Sequence, residues 1–259
     1  MTQWQQVSDS WVWIPRQPIG IVHFLGGAFV GSAPNLTYRW LLEELGKEGY
    51  VIIATPFVNT LDHKAIARTT LNRFENIVER LQANYAIPKG YLPIYGIGHS
   101  MGSKLHLLIG SFFAVERAGN ILLSFNNYPL RRAIPFIESL EIDTALNLEF
   151  TPSPPITLSL IAENYRISRN LLVKFNNDDI DENLTLKPVL DNLFPEMTFL
   201  LTLPGNHLTP MAQDINWQVG EVFSPLDAIA QWVKQGFSRD LYRLKQEIVR
   251  WLHPTRMVG

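Results

Sequence analysis

The chain has 259 residues, 22 Lys and Arg against 24 Asp and Glu, a formal net charge of −2, and 46% hydrophobic residues. A chain this apolar offsets its ordering entropy by burial, which excludes disorder, and its slight acidity (pI about 6.3) lacks the basic footprint of a nucleic-acid binder. With no cysteine, disulfide frameworks, thiolate nucleophiles and cysteine metal sites are excluded too.

The opening MTQWQQVSDSWVWIP lacks a basic segment followed by an apolar run, so no export signal is read there and a cytoplasmic protein is expected. Residues 10–14 are aromatic and β-branched and predict a strand. Residues 20–25 (GIVHFL) predict a buried strand feeding the Gly26-Gly27 turn, and 39–48 a helix. Residues 50–54 (YVIIA) predict a second buried strand, closed by Thr55-Pro56. Apolar residues at Ile66, Leu71, Phe74, Ile77, Val78 and Leu81 follow a helical period over 65–84. A short strand at 92–96 runs through GHSMG into a helix over 103–118, closed by Gly119, and 120–125 predicts the next strand. The apolar run 105–113 is too short to cross a bilayer.

Residues 126–169 are irregular, with short helices suggested at 130–140 and 143–149, and 156–162 either helical or extended. A small lid is expected there. Late strands are predicted at 170–175 (NLLVKF) and 197–203 (MTFLLTL). A helix opens at Ser224-Pro225, and an amphipathic helix over 238–253 carries Leu241, Leu244, Ile248, Trp251 and Leu252 on one face. This last helix is expected to pack on its own domain or on a partner subunit in preference to a membrane surface. Strands alternating with helices at crossover spacing predict one α/β domain over 1–259, a mostly parallel sheet with helices on both faces.

The chemistry centres on Gly98-His99-Ser100-Met101-Gly102. A G-x-S-x-G between a strand and a helix puts the serine on a tight turn at the sheet edge, where its hydroxyl is exposed as a nucleophile. The amide of the next residue, Met101, then faces the same point as an oxyanion donor. Acid and base candidates follow in the order this chemistry needs. Asp178, with Asp179 as second choice, stands after strand 170–175, where a carboxylate can hold an imidazole in its useful tautomer. His207 stands in Leu203-Pro204-Gly205-Asn206-His207, just past the last strand. The other histidines, His23, His63, His99, His106 and His253, read as structural or surface residues. The second oxyanion donor comes from the turn after strand 20–25, as Gly27 or Ala28. That turn is not a G-x-G-x-x-G, which removes a dinucleotide reading. The acidic run Asp178, Asp179, Asp181, Glu182 lacks calcium-loop spacing, and no H-E-x-x-H occurs, so no metal and no cofactor are expected.

GHSMG at 98–102, NNDDID at 176–181, PGNH at 204–207 and FLGGAF at 24–29 resemble the α/β-hydrolase superfamily, across nearly the whole chain. More narrowly, FLGGAFVGSAPNLTY, GHSMGSKLH, LLVKFNNDDID and LPGNHLTP look like an uncharacterised hydrolase-like family of cyanobacteria and plastids. The resemblance implies acyl-transfer chemistry with Ser100 as nucleophile, His207 as base, Asp178 as orienter, and Met101 with Gly27 or Ala28 as the oxyanion hole. Two departures stand out: Phe175 occupies the usual glycine position before the acid, and the glycine turn lacks the common His-Gly pair. The expected substrate is a small-molecule ester or thioester, with Phe24, Phe29, Phe57, Tyr128 and Phe136 hinting at an acyl or aromatic group. A non-catalytic binding protein on the same fold, an acyltransferase, and haloperoxidase-like chemistry are the alternatives.

Overall fold

The computed structural model describes residues 4–28, 30–129, 149–211 and 237–253. Its centre is set by short runs with no polar face. The strands β3 (Gly20–Leu25) and β4 (Tyr50–Ala54) are buried at every position, as strands covered on both sides must be. β5 (Ile94–His99), β6 (Gly119–Leu123), β7 (Asn170–Asn177) and β8 (Thr198–Asn206) extend the sheet on one side. On the other side, the hairpin β1 (Gln5–Val7) and β2 (Ser10–Trp13) extends it. The eight-stranded order is β1-β2-β4-β3-β5-β6-β7-β8. β1 and β2 are antiparallel, β2 runs antiparallel to β4, and all later pairs are parallel. This is the mixed, mostly parallel α/β architecture predicted; the edge strand β1 was not foreseen.

Alternation along the strands sends side chains to two layers. Val22, Phe24, Ile52 and Ala54 join a core with Leu41, Leu42 and Leu45 of α2 (Arg39–Lys47), which follows the single turn α1 (Pro34–Thr37), and with Leu241, Leu244 and Ile248 of α7 (Phe237–Leu252). The apolar stripe of α7 is therefore spent inside the chain's own core, and Lys245 of α7 is tied to Glu48 beside α2 at 2.6 Å. Ile21, Leu25, Val51 and Ile53 point the other way, toward α3 (His63–Ala83) and α4 (Met101–Phe112). Farther along that face, α5 (Pro154–Asn164) and α6 (Asn183–Leu193) cover β6 and β7. α3 starts where the Asp62 carboxylate accepts the Ala65 amide at 2.9 Å. No helix among the described residues is long and apolar enough to cross a membrane.

Two expectations need correction. α4 ends at Phe112, because Phe113 turns extended. Gly119 does not close that helix. It is the first residue of β6, where Trp251 and the Arg169 backbone leave no room for a Cβ. Within 126–169, the stretch 156–162 is part of the helix α5, which opens on Pro154. The helices suggested at 130–140 and, but for its last residue, 143–149 lie outside the described residues, as does the helix opening at Ser224-Pro225.

The chain reverses its direction of progress across the sheet at β3, whose neighbours β4 and β5 lie on opposite sides. The crevice outside the carboxyl ends of β3 and β5 is where ligands bind in open α/β sheets. The segments 26–28 and 99–101 meet there.

Candidate active site

Ser100 follows β5 with φ 54° and ψ −117°, a backbone region that non-glycine residues seldom occupy and that costs about 1–3 kcal/mol. The surroundings enforce it. The Ser100 amide donates to the Leu123 carbonyl of β6 at 2.8 Å, and the Ser103 hydroxyl closes the turn from inside by donating to the Gly98 carbonyl at 2.8 Å. A Cβ on Gly98 would collide with the Ser103 amide, and one on Gly102 with the Leu25 carbonyl of β3. The two glycines therefore let the first turn of α4 sit directly on two strands, while Ser100 itself stays partly exposed. Met101 is the first residue of α4, so its amide has no carbonyl one turn earlier to bond.

At the far edge, the pairing of β7 with β8 shifts register between Phe175 and Asn177, and the chain turns inward at Asp178. Asp178 is buried, whereas Asp179 is exposed. One Asp178 oxygen accepts the Ile180 amide at 3.2 Å, and the other accepts Nδ1–H of His207 at 3.0 Å. Burial alone would raise the Asp178 carboxyl. The hydrogen bond and charge of His207, the nearby Ser124 hydroxyl and the Ile180 amide outweigh it and hold the group below the usual carboxylate range. With Nδ1 carrying the proton, the outer nitrogen Nε2 of a neutral His207 is left as an acceptor.

His207 is presented by a turn that its own polar side chains build. Gly205 takes φ 119°, the Thr209 hydroxyl accepts the Asn206 amide at 2.9 Å, and the Asn206 side chain accepts the Leu208 amide at 2.9 Å. The His207 ring lies against that of His99, the residue before Ser100, with centroids 4.8 Å apart. Asp178 and His207 are thus in direct contact, and both stand at the edge that carries Ser100. No hydrogen bond joins the Ser100 hydroxyl to the His207 ring.

The glycine turn after β3 is held by a side chain that the sequence did not single out, Tyr38. The Gly27 amide donates to the Tyr38 hydroxyl at 2.8 Å and is thereby occupied. Among the described residues no partner takes the Ala28 amide. The Tyr38 hydroxyl in turn meets Nδ1 of His99 at 2.8 Å, and Nε2 of His99 meets the His207 carbonyl at 2.8 Å. Burial, followed by the nearness of His207, lowers the His99 pKa to about 3. Burial also pushes the Tyr38 phenol above its ordinary value, against the pull of the Gly27 amide. His99 is therefore neutral and Tyr38 protonated. No local signal in the sequence links Tyr38 to His99, which stand 61 positions apart.

One turn beyond Ser100, the buried Lys104 carries its ammonium over the Phe150 ring, 5.5 Å from the centroid. Burial lowers its pKa to about 8, while Glu149 and Glu182 pull it back. Burial also pushes Asp181 up to about 6, against the Asn183 amide and the charge of Lys174. Of the aromatic residues read as hinting at an acyl pocket, Phe24 is wholly inside the core. Phe57 lines a mainly apolar groove of about 460 Å³ with Ser32, Val58, Ile66 and Thr70, while Phe29 and Phe136 lie outside the described residues. Among the described residues no three His, Asp or Glu side chains gather as a metal site would require.

A family model described as "Protein of unknown function (DUF1350)" matches residues 3–254. The chain belongs to the DUF1350 family. A search of curated proteins found no match. Among solved structures, this DUF1350 chain is similar to carboxyl esterase 2 of Tuber melanosporum, with a TM-score of 0.61 and 13% identity over 97% of this chain and 86% of that one. It is also similar to the esterase Pf2001 of Pyrococcus furiosus, with a TM-score of 0.59 and 16% identity over 98% and 93%. A third similar structure is the fluorophosphonate-binding serine hydrolase FphF of Staphylococcus aureus, with a TM-score of 0.58 and 14% identity over 97% of each chain. At these identities the likeness establishes the fold, that of the α/β-hydrolases.

Proposed function

We propose that this DUF1350 chain is a serine hydrolase that cleaves a small-molecule carboxylic ester or thioester through an acyl-enzyme. The observation that carries the reading is the 3.0 Å bond from His207 Nδ1–H to the buried Asp178 carboxylate, at the sheet edge where a strained turn exposes Ser100. A structural ion pair needs no such neighbour, and a strained serine turn needs no such pair. Together they form the acid, base and nucleophile of acyl transfer.

In the proposed reaction His207 Nε2 takes the Ser100 proton as the serine oxygen bonds to the acyl carbon. The carbonyl oxygen becomes an oxyanion held by the amides of Met101 and Ala28, the Gly27 amide being occupied by Tyr38. Collapse breaks the bond to the leaving oxygen or sulfur, which receives the proton from His207. Water then repeats the sequence on the acyl-enzyme and releases the acid. Asp178 stays ionised throughout and stabilises the imidazolium. The reading requires the Ser100 hydroxyl to come within hydrogen-bond reach of His207 Nε2 when substrate fills the site.

The test uses a fluorophosphonate probe on the folded protein, beside p-nitrophenyl esters of varied acyl length. Labelling at Ser100 and ester turnover are expected. Asp178→Asn is expected to lower kcat by about 10³–10⁴-fold, with Asp179→Asn close to wild type. Folded protein that takes no label, or equal labelling of Ser100→Ala, sinks the reading. A tight ligand with no turnover would favour a binding protein on this fold.

A further inference from the structure

Resting on the roles just assigned to Ser100 and His207, we propose that Tyr38 and His99 are positioning residues. They form a bridge that sets the oxyanion turn and the turn carrying the base in one rigid frame. Direction of hydrogen bonding makes the case. His99 is neutral, with one ring proton to place. Its Nε2 faces the His207 carbonyl, which only accepts, so the proton sits on Nε2 and Nδ1 is an acceptor. The Tyr38 hydroxyl must then donate to Nδ1, and its oxygen is free to accept the Gly27 amide. Every donor meets one acceptor, over contacts of 2.8 Å each. Tyr38 and His99 are almost wholly buried, at 0% and 1% exposed, so no water competes for these groups.

The bridge performs two tasks. It occupies the Gly27 amide, and this selects Ala28 as the amide that faces the reacting oxygen. It also holds the backbone of His207 independently of the Asp178 bond, which holds only the ring. The base is thus fixed at two points, one through its side chain and one through its carbonyl. The second point leads directly to the oxyanion turn. Because His99 precedes Ser100 on the same strained turn, the three reacting segments move together or not at all.

Tyr38→Phe keeps the buried ring and removes the hydroxyl. It is expected to lower kcat roughly 10–100-fold, the scale of a small misplacement of reacting groups, with KM changed less than about threefold. His99→Leu is expected to match it, and the double variant to be no worse than His99→Leu alone, because both cut one chain. His99→Gln puts an N–H near the lost Nε2–H and is expected to recover part of kcat. Amide hydrogen exchange gives a readout that needs no catalysis. In Tyr38→Phe the Gly27 amide is expected to exchange faster, and so is Leu208, which lies across the site. Leu208 exchanging as in wild type, together with kcat within about threefold, overturns the bridge. A wild type that takes no fluorophosphonate label overturns the hydrolase reading instead, and the exchange result still decides whether the bridge couples the two turns.

Discussion

Ser100→Ala is expected to lower ester turnover by roughly 10⁴–10⁶-fold, the usual range for loss of a nucleophile in such a triad, while leaving the protein folded. The fold survives because what holds the turn is main chain. The Ser100 amide still reaches the Leu123 carbonyl, and Gly98 and Gly102 still admit the close approach of α4 to the sheet. Ser100→Gly separates chemistry from strain. At φ 54° and ψ −117° a side chain costs about 1–3 kcal/mol, which glycine avoids, offset by about 0.4–1 kcal/mol for the extra freedom of an unfolded glycine. The glycine variant is therefore expected to be as inactive as Ser100→Ala and more stable than it, by about 1 kcal/mol or a few degrees in Tm. Thermal and urea unfolding of the three proteins check this. A glycine variant less stable than the alanine one would show that the turn stores no strain, and alanine turnover within tenfold of wild type would move the nucleophile elsewhere.

Acidification is expected to unfold the chain at about pH 4 to 5, driven by histidines buried in the neutral form. His63, His99 and His106 have pKa values lowered to about 3, chiefly by burial, and His23 is lowered well below its ordinary value for the same reason. A histidine kept neutral in the fold takes up its proton more readily when unfolded. Its contribution is complete above the unfolded value near 6.5 and falls as pH drops from there toward the folded value. Each such group changes stability by about 1.4 kcal/mol per pH unit in that window, so together they remove much of a typical stability of about 5–15 kcal/mol by pH 4. Asp178, held low, adds to the loss only at lower pH. Asp181 opposes it: with its carboxyl raised to about 6, folding gains as pH falls through 6 toward its unfolded value. Urea midpoints between pH 7 and 4.5 measure the slope. His23→Leu removes a ring whose two nitrogens have no partner among the described residues, and is expected to flatten the slope by about one proton. A slope below two protons would show that these rings are not held neutral.

The parts of this molecule legible in its sequence are those whose cause is local. β3 and β4 end where they were predicted because each is an unbroken apolar run stopped by a glycine turn or a Thr-Pro pair. The turn at Ser100 is equally local, since the glycines that permit it stand two residues away on either side. Asp178 and Asp179 could not be separated by type. A shift in strand pairing between Phe175 and Asn177 turns one inward and the other out to solvent, and that shift depends on β8. Gly119 was misread as a helix stop because its real constraint comes from Trp251 and Arg169. Tyr38 and His99 were invisible as partners for the same reason. What joins them is the parallel pairing of β3 with β5, which brings the segment after β3 to the end of β5, and no period along the chain reports it.

The close seat of Gly102 on the Leu25 carbonyl, with Gly98 pressed against the same helix turn, bears on how relatives of this chain are to be interpreted. Both positions exclude any larger residue on steric grounds, whether or not the protein turns over a substrate. A descendant that had abandoned catalysis would keep them to remain folded, so the pair of glycines testifies to architecture alone. On the roles proposed above, loss of enzymatic competence would register first at positions 100, 178 and 207.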